Sequence, residues 1–147
     1  MSEKFRQLND VVLVSPQIDA DDVAAARELG VALIVNNRPE GEADDQTPGP
    51  DIAQAASEAG LDYVAIPVTH AGFSQAQVAA MRAALDQAGE SRLLAYCRSG
   101  TRSTLLWALA EASAGADLDS LRRQAAAAGY DLGPIAALLE MLAARPR

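Results

Sequence analysis

The stretch RLLAYCRSGTRSTLLWALAEAS, residues 92–113, changes character at Cys97. The first six residues are mostly apolar and read as a short buried strand. From about Arg102 the letters favour a helix. Between them lies a polar turn around Gly100. A strand, a tight turn and a helix in that order are the unit from which parallel α/β sheets are built. Ligands of such sheets sit beyond the carboxyl ends of the strands. Cys97, the only cysteine in the chain, stands at such an end.

Upstream, the same alternation repeats. VVLVSP (11–16) reads as a strand closed by Pro16. DDVAAARELG (21–30) places Val23, Ala26 and Leu29 on one helical face, with Gly30 as its stop. VALIVNN (31–37) is a second strand, and RPEGEADDQTPGP (38–50) is a loop by its Gly, Pro and acids. DIAQAASEAG (51–60) is helical and LDYVAIPV (61–68) is a strand. SQAQVAAMRAALDQAG (74–89) opens with Ser74 and Gln77 at capping-box spacing. The order βαβαβαβ, followed by a helix, predicts an α/β fold: one parallel sheet flanked by helices on both faces. A single domain is expected over 1–147. Residues 116–147 form a helical C-terminal extension of two short helices, split near Gly129 to Pro134 and packed on the sheet.

Composition narrows the function. The chain has 147 residues, half of them apolar, which suits one domain with a proper core. Its formal net charge of −8 argues against nucleic acid as a partner, so a bound anion needs a local positive site. The first ten residues are charged and polar, which predicts no secretory signal, and no apolar run approaches a membrane span. A cytoplasmic protein is expected, with no membrane partner. One cysteine makes no internal disulfide. One cysteine and one histidine do not make a zinc site, and the acids of 40–45 read as a solvated loop. Neither a metal nor a cofactor is expected.

The turn after Cys97 reads as an anion cradle. Its backbone N–H groups and the first turn of the next helix converge, and the helix dipole favours negative charge there. The same field favours a thiolate. Arg102 adds a planar fork suited to an oxyanion, with Arg98 as a second guanidinium. Gly100 allows the tight turn, and Ser99, Thr101 and Ser103 line it. A free cysteine is often an inert buried thiol. Such a thiol has no need of two guanidiniums beside it, so Cys97 is read as a nucleophile. Asn37 and Arg38 end the 31–37 strand on the same edge. They either help hold an anionic substrate or cap neighbouring backbone.

CRSGTRS resembles the active loop of rhodanese-type sulfurtransferases, Cys-x-x-Gly-x-Arg-Ser/Thr, through Cys97, Gly100, Arg102 and Ser103. It is also similar to the phosphate loop of cysteine-dependent protein phosphatases. That pattern is Cys-x5-Arg, one residue longer, and Ser103 stands where its arginine belongs. VSPQI, NNRPEGE, YVAIPV and AYCRSGTRSTLLWAL together resemble the DUF442 family, the phosphatase-like domain of beta-lactamase-hydrolase-like proteins, over roughly residues 4 to 112. The resemblance implies a protein-tyrosine-phosphatase-like fold and either phosphatase or sulfur-transfer chemistry.

Two features bear on that choice. A phosphoryl group brings three equatorial oxygens, and a ring of amides one residue shorter suits a single added sulfur better. Dual-specificity phosphatases carry their general acid as the aspartate of a pattern like Ile-Pro-Val-x-Asp. Here Ile66, Pro67, Val68 and Thr69 lead to His70. His70 is either the general acid or an exposed loop histidine. The sequence reading therefore ranks sulfur transfer through a Cys97 persulfide first, from a small anionic or sulfane-sulfur donor to a thiol acceptor. Hydrolysis of phosphomonoesters, a phosphoprotein among them, through a phosphocysteine is the alternative. A non-catalytic anion-binding module has no need of the thiol.

Overall fold

A computed structural model describes residues 4–144; the first and last three positions, including the end of the expected 116–147 extension, lie outside the described residues. The elements in chain order are β1 (Arg6–Gln7), β2 (Val12–Ser15), α1 (Ala20–Glu28), β3 (Val31–Asn36), α2 (Gly49–Ala59), β4 (Asp62–Ala65), α3 (Gln75–Ala88), β5 (Arg92–Tyr96), α4 (Thr101–Ser113), α5 (Leu118–Ala127), a 3-10 turn (Gly133–Ile135) and α6 (Ala136–Ala144). The five strands form one sheet in the order β1-β2-β5-β3-β4. β5 is the middle strand, parallel to β2 and β3, with Tyr96 level with Ser15 on one side and Asn36 on the other.

Burial on both faces accounts for the nearly continuous apolar strands. Alternate residues serve different cores. Leu93 and Ala95 join Val12, Val14, Leu33 and Val35 under α3 and α4. Leu94 and Tyr96 join Leu13 and Ile34 under α1 and α2. Cys97 is the first residue past the central strand, where chain from β2, β3 and α4 meets. α4 carries an unbroken buried run from Ser103 to Ala110. A helix apolar all round is covered all round. The sheet, α3, α5 and α6 cover this one, and Leu121, Ala125, Leu139 and Leu142 of the last two helices share its core. The tail packs chiefly on α4, and Arg6 of β1 also reaches it through the Ala128 carbonyl.

Two further differences are local. β1 pairs antiparallel with β2, so the sheet is mixed at one edge. It is two exposed residues long, with nothing apolar to mark it. β4 stops at Ala65, short of Pro67, which has no N–H to donate to a ladder. The chain still tracks β3 beyond it, through Ile66 N–H to Asn36 O at 2.8 Å and Val68 N–H to Asn37 O at 2.9 Å. Among the described residues no helix is long and apolar enough to cross a membrane.

Candidate active site

Cys97 is fully buried at the end of β5. The chain then turns through Gly100, the N-cap of α4, whose φ of +90° lies in the left-handed region that glycine tolerates. No side chain caps α4 at that residue. By helix geometry the first-turn N–H groups of Arg102 and Ser103 have no intrahelical acceptor. The Gly100 N–H donates to Cys97 Sγ at 3.1 Å. Thr104 N–H and its hydroxyl both return to the Gly100 carbonyl, at 3.0 and 2.8 Å, and close the turn from the helix side. Sulfur, backbone donor and helix N-terminus are thereby brought to one point.

Arg102 reaches the same point. Its Nη1 donates to Glu42 Oε2 at 2.8 Å and to the Val68 carbonyl at 2.7 Å, and its Nη2 donates to Glu42 Oε1 at 2.8 Å. A guanidinium has five N–H groups. Three are engaged, and the remaining pair, one each on Nε and Nη2, forms the other two-pronged edge of the plane. The hydrogen bond to Glu42 raises the arginine's affinity for its proton, burial opposes it, and a thiolate at Cys97 would add to the rise. Glu42 in turn holds the carboxylate form down to about pH 2, first through Arg102 and, against burial, through Arg38. Arg38 Nε donates to Glu42 Oε1 at 3.0 Å.

Of the residues expected to bind the anion, three lie beneath the loop with protein partners of their own. Asn37 and Ser103 are both fully buried, and the Ser103 hydroxyl donates to Asn37 Oδ1 at 2.8 Å. Asn37 Nδ2 donates to the Ile66 carbonyl at 2.9 Å. Together they brace β3, the end of β4 and α4 beneath the loop. Arg38 is 5 % exposed and commits its guanidinium to Glu42 and to Gln17 Oε1 at 3.0 Å. It orients Glu42. The backbone-capping alternative therefore fits Asn37, and an ion-pair role fits Arg38.

The other expected residues lie on the loop surface. Arg98, Ser99 and Thr101 are exposed, and the Ser99 hydroxyl donates to Thr101 Oγ1 at 3.0 Å. His70 is exposed two residues beyond Val68, whose carbonyl holds Arg102. Sequence reasoning missed Glu42, Gln17 and Tyr130. Glu42 stands four residues after Arg38, a spacing that could have flagged the pair. The Tyr130 hydroxyl donates to the Ser99 carbonyl at 3.1 Å from a tail that carries no local sign of it. Among the described residues no group of three or more His, Cys, Asp or Glu side chains could hold a metal ion. A groove of about 550 Å³ between α3 and α6, lined by Phe73, Val78, Leu138 and Met141 among others, contains none of the site residues.

A family model described as the phosphatase-like domain of beta-lactamase hydrolase-like protein matches residues 4–114. The chain belongs to this family. A beta-lactamase hydrolase-like protein of Xylella fastidiosa is 35 % identical over 132 residues, covering 88 % of this chain and 30 % of the relative. The chain thus spans less than a third of the length of the curated relatives it matches. The crystal structure of a candidate phosphatase from Neisseria meningitidis superposes with a TM-score of 0.80 at 31 % identity, over 96 % of this chain and 99 % of that one. Kinase-associated phosphatase, with its catalytic-site cysteine replaced by serine, superposes with a TM-score of 0.70 at 15 % identity, over 97 % and 96 %. The last likeness concerns fold alone. The fold is that of the protein-tyrosine-phosphatase-like phosphatases.

Proposed function

We propose that this protein is a cysteine-dependent phosphatase that hydrolyses phosphomonoesters through a phosphocysteine on Cys97. The observation that carries the reading is the Gly100 N–H donated to Cys97 Sγ at 3.1 Å at the N-terminus of α4, with the Arg102 guanidinium close enough to interact with that sulfur. The phosphoryl oxygens would take the N–H groups of residues 98–102 and the remaining edge of Arg102, donors fixed before substrate arrives. Cys97 thiolate attacks phosphorus and the ester P–O bond breaks. The leaving oxygen departs as an anion or takes a proton from a nearby acid. Water then attacks phosphorus, the S–P bond breaks, and phosphate leaves with the thiolate restored. The acid position holds exposed His70 instead of an aspartate. Aryl phosphates, whose leaving oxygen needs a proton least, are therefore the substrate class this site fits best.

The preference given by the sequence is thus reversed, since the family and its solved relative carry phosphatase descriptions. A second reading, sulfur transfer, is favoured by one observation: only four residues separate Cys97 from Arg102. There the thiolate would attack the outer sulfur of thiosulfate, the S–S bond would break, sulfite would leave, and a thiol acceptor would remove the bound sulfur. Two assays run side by side separate the readings. Turnover of p-nitrophenyl phosphate, with no sulfur gained from thiosulfate, supports the first. A persulfide removed by cyanide, with no phosphatase turnover, overturns it in favour of the second.

A further inference from the structure

Tyr130 lies beyond residues 4–114, in the connection between α5 and the 3-10 turn, yet it touches the active loop. Its ring packs against the α4 core, and the Arg6 guanidinium sits 5.9 Å from the ring centroid. Arg6 Nη1 also donates to the Ala128 carbonyl at 3.0 Å and ties the segment to β1. A Cβ on Gly100 would collide with the Tyr130 hydroxyl. That contact places the phenol directly against the turn.

The hydroxyl donates to the Ser99 carbonyl at 3.1 Å. That carbonyl and the Gly100 N–H belong to one peptide unit. The unit is trans and planar, so the two groups point to opposite edges. The N–H edge donates to Cys97 Sγ at 3.1 Å. Hydroxyl, peptide and sulfur thus form one chain of hydrogen bonds, and in such a chain each bond polarises the next. The carbonyl is also held away from the sulfur, so the peptide cannot turn its negative end toward the thiolate.

We propose that Tyr130 is a positioning residue that sets the reactivity of Cys97 through the Ser99–Gly100 peptide. The proposal rests only on Cys97 acting as a thiolate, which both readings of the function share. The charged and titratable groups around the sulfur are Arg102 from α4, with Glu42 behind it, and Tyr130 from the tail, with Arg6 behind its ring. Burial pushes the Tyr130 phenol up, Arg6 opposes this, and the charge of Cys97 adds to it. The phenol therefore keeps its proton and remains a donor at neutral pH.

Tyr130→Phe removes the hydroxyl and keeps the ring in its packing. Because Cys97 is buried, the readout is the ultraviolet absorbance of the thiolate against pH, each protein being blanked against its own Cys97→Ser form. In Tyr130→Phe the curve moves to higher pH, with about threefold less thiolate on its rising limb, and the alkaline plateau is kept. The Gly100 amide proton, followed by NMR, moves in the direction of a weaker hydrogen bond. Superimposable curves, with or without a fall in melting temperature, would reduce Tyr130 to a packing residue and overturn the proposal. A Tyr130→Phe chain that does not fold would overturn it too, since the hydroxyl would then hold the fold. The titration uses no substrate, so it decides the role of Tyr130 even where no phosphatase turnover is found.

Discussion

Glu42→Gln is the substitution with the largest consequence for the frame around Cys97. The wild-type carboxylate lies between two guanidiniums and accepts N–H groups at 2.8, 2.8 and 3.0 Å. It is 15 % exposed and Arg38 is 5 % exposed, so water compensates little when the charge is removed. The carboxyl group is lowered from 4.5 to about 2 on folding. A folded-state value below the unfolded one means stability that is fully present above about pH 4.5 and lost as pH falls through about 2. At 1.36 kcal/mol per pH unit the contribution is about 3 kcal/mol at neutral pH. The cost of breaking a buried pair by removing one partner, about 3–5 kcal/mol, agrees at its lower end. For a domain of this size the melting temperature should fall by about 6–12 °C. Urea unfolding of both proteins at a series of pH values checks this. The Glu42→Gln deficit is expected to be full at neutral pH and to shrink as the wild-type carboxylate protonates. Equal stability at pH 7, or a deficit that does not change down to pH 2, would refute the reasoning.

Arg102→Lys keeps the charge but loses both two-pronged edges, the one on Glu42 and the one left for substrate. The kcat/KM for p-nitrophenyl phosphate should fall at least about tenfold, roughly 1.4 kcal/mol of transition-state stabilisation; equal activity would show that the free edge is not used. Gly100→Ala forces a Cβ into a φ of +90° and to 3.1 Å from Tyr130 Cζ. A loss of about 1–3 kcal/mol in urea unfolding is expected, with the Tyr130 contact displaced, and an unchanged midpoint would contradict the turn as described.

Much of the sheet was legible because a parallel strand buried on both faces has no polar alternation to obscure it. VALIVN is nearly all apolar, and it is β3. Ser74 and Gln77 cap α3 as their spacing predicts, each side chain bonding the other's backbone. β1 was not legible, since Arg6 and Gln7 pair with β2 through backbone groups alone. At the site, Cys97, Gly100 and Arg102 could be read together because they lie within one turn of chain. Their partners could not. Glu42 is 60 residues from Arg102, Asn37 is 66 from Ser103, and Tyr130 is 31 from Ser99. Asn37 was placed at the correct strand end, but only the fold shows that Ser103 and the Ile66 carbonyl take its amide.

The central claim is that Cys97 carries a covalent phosphoryl group during turnover. Acid quenching of wild-type protein in the presence of p-nitrophenyl phosphate, followed by mass spectrometry of the peptide that contains Cys97, tests it most directly. The account predicts a phosphoryl adduct on Cys97 that forms faster than the steady-state rate. Cys97→Ser should show neither adduct nor turnover. Turnover that survives in Cys97→Ser, or a wild-type chain that turns over with Cys97 never modified, would contradict it.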